Sequence, residues 1–107
     1  MTKRPFSAKG YKAKKLLELV HSDLFGPITA QARGGFEYFI TFIDDYSRYG
    51  YIYLMRRKYE CFKKFKDFKI ETEKWLGKCI KTLRFDRGGE YLLGEFREYL
   101  LKQGIIS

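Results

Sequence analysis

The chain has 107 residues, with 22 Lys and Arg against 13 Asp and Glu and a formal net charge of +9. This length allows one small core, since a domain of this size buries somewhat over ~60% of its unfolded surface. Apolar residues make up 45% and aromatic residues 19%, which speaks against low-complexity disorder, while the basic excess selects polyanionic partners, nucleic acid foremost. No stretch approaches the roughly 18 apolar residues of a membrane span, and no hydrophobic region follows the basic N-terminus as in a signal peptide. A soluble intracellular protein is expected. One histidine and two cysteines supply too few ligands for a structural zinc site, and Cys61 and Cys79 are expected as buried, reduced thiols.

Residues 1–15 read as a basic lead-in carrying Lys3, Arg4, Lys9, Lys12, Lys14 and Lys15 with no acidic residue. Pro5 and Gly10 interrupt it, and no hydrophobic period commits it to a helix. Residues 16–107 form the folded part. Leucines and a valine from Leu16 to Leu24 predict a first strand ended by Gly26-Pro27. Phe36 to Asp45 and Tyr49 to Met55 predict a hairpin, with Asp44 and Asp45 supplying turn chemistry. In its second arm Tyr49, Tyr51, Tyr53 and Met55 alternate with Gly50, Ile52 and Leu54, the period of a strand packed on both faces.

From Tyr59 the period changes to 3.6, with Cys61, Phe65, Phe68, Thr72, Trp75 and Leu76 on one face, so a helix of about 18 residues ending at Gly77 is predicted, with its aromatics in the core. Cys79 to Phe85 predicts a fourth strand. Leu93, Phe96, Tyr99 and Leu100 mark a second helix stopped by Gly104, after which Ile105-Ile106 begins a fifth strand. The order β-β-β-α-β-α-(β) predicts an α/β fold with a mixed sheet. The crossover helix lets the fourth strand lie parallel to the first.

That arrangement brings two carboxylates to one edge of the sheet. Asp23 closes the first strand in Leu-Glu-Leu-Val-His-Ser-Asp-Leu-Phe-Gly-Pro, and Asp86 closes the fourth in Phe-Asp-Arg-Gly-Gly-Glu-Tyr. Carboxylates so placed can share divalent metal, and metal pairs activate water and stabilise the leaving oxygen in phosphodiester chemistry. The bland alternative for each is a turn residue; two such motifs in register favour the metal. His21 is read as a hydrogen-bonded strand histidine, and Gly88-Gly89 as a turn that carries the backbone away from Asp86.

His-Ser-Asp-Leu-Phe-Gly-Pro at 21–27, Tyr-Phe-Ile-Thr-Phe-Ile-Asp-Asp-Tyr-Ser-Arg at 38–48 and Phe-Asp-Arg-Gly-Gly-Glu-Tyr at 85–91 together resemble the integrase catalytic core of copia-type LTR retrotransposons, over nearly the whole chain. The resemblance implies a ribonuclease H-like fold and a metal-dependent polynucleotidyl transferase of a longer polyprotein that joins retroelement ends to target DNA. It also implies a nuclear location and a Mg2+ or Mn2+ cofactor. Asp23 and Asp86 correspond to the first two catalytic, metal-binding aspartates. The third ligand of the family, a glutamate roughly 35 residues past the second aspartate, falls beyond Ser107; Glu90, Glu95 and Glu98 do not match its place.

The sequence therefore predicts a partial core, truncated before its final helices, that binds at most one ion and is inactive alone. Lys3, Arg4, Lys9, Lys12, Lys14, Lys15 and Arg87 are the expected phosphate contacts, and lost cover on the sheet favours homo-oligomers. Two other readings stay open: a non-catalytic basic nucleic-acid-binding module on the same fold, and an active nuclease.

Overall fold

The computed structural model describes residues 12–28, 35–85 and 94–107. Its elements are β1 (Leu19–Phe25), β2 (Tyr38–Asp44), β3 (Gly50–Met55), α1 (Cys61–Leu76), β4 (Thr82–Phe85) and α2 (Gly94–Lys102). The four strands form one sheet in the order β3-β2-β1-β4. β1 and β2 pair antiparallel, as do β2 and β3, whereas β4 runs parallel to β1. A helical crossover is what a parallel neighbour requires, and α1 supplies it. The expected fifth strand is present as a single parallel bridge between Thr82 and Ile106.

β1 is central, and Leu19, Val20, His21, Ser22 and Leu24 are all buried. It begins three residues later than its leucines suggest, because Leu17 adopts φ 63 and the chain turns there, with the Glu18 N–H donating to the Lys15 carbonyl at 3.3 Å. Leu17 still enters the core. Successive side chains alternate across a strand, so Val20 and Leu24 share the core face with Ile40 and Phe42 of β2 and Leu83 of β4. Leu19, His21 and Asp23 take the opposite face.

The core lies between the first of these faces and the two helices. Phe42 stacks on Phe68 of α1 with ring centroids 4.8 Å apart and meets Phe65 at 5.8 Å. Phe62 and Phe65 in turn meet Phe96 of α2 at 5.2 and 5.4 Å. Removing Phe42, Phe65 and Phe68 from water stabilises the fold by about 1.5–3 kcal/mol per ring. The one polar member of the buried α1 face, Thr72, donates its hydroxyl to the Phe68 carbonyl at 2.6 Å. Gly77 ends the helix in the left-handed region at φ 68, its N–H bonded to the Glu73 carbonyl, as only a residue without a Cβ does cheaply.

Three expectations are corrected. Trp75 has the right helical phase but is 65% exposed. It sits in the last turn of α1, where its nearest described ring is the exposed Tyr49 at 6.2 Å, so the phase is met by no core surface. β3 is packed on one face only: Tyr51 lies against Phe68 at 5.4 Å, while Ile52 and Leu54 stay 67% and 52% exposed. Of the two cysteines, Cys61 is buried and Cys79 exposed, both as free thiols; burial pushes the Cys61 thiol up to about 12.

Candidate carboxylate edge and its relatives

The parallel ladder between β1 and β4 pairs Leu19 with Thr82, Val20 with Leu83, His21 with Arg84 and Ser22 with Phe85. The residues that follow this last pair in sequence are Asp23 and Asp86. Asp23 is half-buried on the sheet face opposite the α1 core, across from Thr41 of β2. Thr41 reaches back to that strand, its hydroxyl donating to the Asp23 carbonyl at 3.5 Å. The strand continues past Asp23 to Phe25, which stacks on Phe39 at 4.6 Å; the carboxylate is thus held inside the ladder rather than on its frayed end.

Asp86, Arg87, Lys3, Arg4, Lys9 and Glu90 lie outside the described residues, as do Gly88 and Gly89. Among the described residues no group of three or more His, Cys, Asp and Glu side chains is placed to hold a metal ion. The oxygen donors of Asp23, on the open side of this ladder, are of the kind a hard, oxygen-preferring dication such as Mg2+ takes.

Arg84 is a residue that motif reasoning passed over. It pairs with His21 across the parallel ladder and therefore shares the face of Asp23. The signal was the alternation of β4 itself, with Leu83 and Phe85 turned to the core.

His21 behaves as expected of a bonded strand histidine. It is buried, and its Nε2 lies 2.8 Å from Asp45 Oδ1. An ionised carboxylate only accepts hydrogen bonds, so Nε2 carries the hydrogen. Asp45 also accepts the Ala13 N–H at 2.8 Å and lies 3.7 Å from the Arg48 guanidinium. Burial pushes the Asp45 carboxyl up, but the Ala13 N–H, His21 and Arg48 together hold it below the ordinary aspartate range. Its neighbour Asp44 closes the hairpin as predicted, accepting the Ser47 N–H at 2.8 Å, and in addition accepts the Leu17 N–H at 2.8 Å.

This pair of buried aspartates fastens the chain at Ala13 and Leu17, where the lead-in meets the first strand. With Ala13 and Leu17 bonded to the hairpin turn, Lys12, Lys14 and Lys15 are exposed on a segment tied to the sheet. Those three cations are the predicted phosphate contacts that fall within the described residues.

A mixed sheet of this order, with a crossover helix and aspartate in the first strand, is the architecture of an integrase catalytic core. The fold is similar to that of the HTLV-2 integrase catalytic core domain solved in complex with magnesium. The dimeric form matches 84% of this chain and 58% of its own at 15% identity and a TM-score of 0.60, and the trimeric form matches with a TM-score of 0.61. No family model matches the sequence.

The chain is a homologue of the retrovirus-related Pol polyproteins of plant transposons. It is 40% identical over 100 residues to that of transposon TNT 1-94 from Nicotiana tabacum, covering 94% of this chain, and 33% identical over 104 residues to that of transposon RE2 from Arabidopsis thaliana, covering 96%. It spans 8% and 7% of the length of those two polyproteins. No helix among the described residues is long and apolar enough to cross a membrane.

Proposed function

We propose that the chain is part of an integrase catalytic core acting on DNA, in which Asp23 and Asp86 together hold one Mg2+ or Mn2+. The observation that supports this best is the parallel register that ends at Ser22 and Phe85, one residue before each aspartate. When bound, the ion supplies Lewis-acid stabilisation of charge on a phosphodiester oxygen. The chain's own residues orient the site. β1 and the Thr41 hydroxyl hold Asp23, Arg84 and Arg87 offer positive charge to phosphate, and Lys3, Arg4, Lys9, Lys12, Lys14 and Lys15 bind the backbone without reading sequence.

In this reading Asp23 and Asp86 hold at most one ion, short of the metal pair that phosphodiester transfer uses, and the chain joins no DNA by this pair alone. Its exposed Ile52 and Leu54 on the edge strand β3 favour self-association, and action on DNA goes with a nuclear location. Calorimetric titration of Mn2+ into the chain, beside the Asp23→Asn, Asp86→Asn double variant, tests the site. Binding to the parent that disappears in the variant is expected. No binding to the parent, or equal binding to both, overturns the assignment.

A further inference from the structure

We propose that the open cleft between residues 15–18 and 78–81 is a second polyanion site, one that takes phosphate groups of a nucleic-acid backbone at the end of the β1/β4 pair remote from Asp23. The proposal rests on the chain's acting on DNA but not on its metal site. The cleft has a volume of about 230 Å³ and is lined by Lys15, Leu16, Glu18, Lys78, Cys79 and Lys81. Three lysines and one glutamate thus line it. That carboxylate is already engaged, since Glu18 Oε1 accepts the Lys14 N–H at 2.7 Å. Lys15, Lys78 and Lys81 are exposed, and none enters an ion pair among the described residues.

The walls are hydrogen-bonded backbone rather than loose tail. The Lys81 N–H donates to the Leu17 carbonyl at 3.0 Å, and the Lys81 carbonyl accepts the Ile106 N–H at 3.0 Å. The neighbouring Ile80 N–H is fixed by Glu73 Oε2 at 2.8 Å. Anchorage of this kind lowers the ordering cost of binding. Lysines offer compact charge without the fork of a guanidinium, so the site suits phosphate and reads no base. From Leu19 to Asp23 the strand rises about 13 Å, which one strand of B-DNA covers in roughly four steps of 3.4 Å. The span from the cleft to the carboxylate edge thus matches about four nucleotides of one backbone.

Cys79 lies in this cleft and is exposed, whereas Cys61 is buried, so a neutral maleimide reads the cleft directly in the 107-residue chain. A short duplex of arbitrary sequence, at ten times its Kd in low salt, should slow Cys79 labelling about tenfold, following 1 + [L]/Kd, and added salt should restore the rate. Inorganic phosphate at the same concentration should protect far less.

The Lys15→Gln, Lys78→Gln, Lys81→Gln variant should lose this protection. The slope of its log K against log salt should fall by about 0.9 for each phosphate released. Continued shielding of Cys61 in the triple variant shows that it is folded. Duplex that binds by fluorescence anisotropy yet leaves the Cys79 rate unchanged overturns the cleft alone. Absence of duplex binding overturns the nucleic-acid reading with it, and equal protection by inorganic phosphate replaces the polynucleotide with a small anion.

Discussion

Replacing Asp45 should be among the most damaging polar substitutions in this chain, because its carboxylate joins three separate segments while only 4% exposed. It receives the Ala13 N–H and the His21 Nε2–H, each at 2.8 Å. Hydrogen bonds to a charged group contribute about 1.5–3 kcal/mol each. Asp45→Asn keeps an acceptor for one donor and turns an amide NH2 towards the other, so a loss of about 1.5–3 kcal/mol is expected. Asp45→Ala leaves both donors unmatched and should cost roughly 3–5 kcal/mol.

Against a total stability of about 5–16 kcal/mol for this length, the first loss should lower Tm by roughly 6–24 °C at about 4–8 °C per kcal/mol. The assay is urea unfolding followed by circular dichroism, with a double-mutant cycle against His21→Ala. A coupling of about 1–3 kcal/mol is expected. The folded carboxyl is depressed, so its contribution is fully present above the unfolded value near ~3.9 and is lost as pH falls through the lower folded value. The gap between parent and Asp45→Asn should therefore narrow as pH falls below the ordinary aspartate value of about 3.9. A coupling below about 0.5 kcal/mol, or a gap that does not narrow as the solution is acidified, refutes the reasoning.

Phe42→Ala should cost about 3–5 kcal/mol, because Phe42 is fully buried and contacts Phe65, Phe68 and Tyr53; a loss under about 1 kcal/mol in urea unfolding would contradict the core described. Trp75→Ala, by contrast, should cost less than about 1 kcal/mol, as its exposure predicts. Gly50→Ala should lower Tm in a thermal melt, since a Cβ there would meet Ile43 Cγ1 at 2.8 Å and the Phe42 carbonyl at 2.9 Å. Native-state thiol labelling should stop at one equivalent, on Cys79, and reach the second only when denaturant exposes Cys61.

The order of elements, the hairpin, the parallel return of the fourth strand and the boundary at Gly77 were all legible in the sequence. Each depends on local chemistry: the change of period from 2 to 3.6 at Tyr59, a glycine free to turn left-handed, an aspartate that closes a turn. Asp23 was legible for the same reason, because its motif carries it into a strand.

Errors arose where burial depends on what lies opposite. Helical phase put Trp75 on the α1 core face, and strand period could not tell that Ile52 and Leu54 would remain open. Nor does spacing show that the carboxylate of Asp45, from within its turn, would bind Ala13 and His21. Which segments become strands and helices follows from periodicity and side-chain identity along the chain, and so could be read there. Which faces are covered, how Ala13 and Leu17 are tied to the hairpin turn and where Lys15, Lys78 and Lys81 come together could be known only from the fold, because these depend on contacts between residues far apart in sequence.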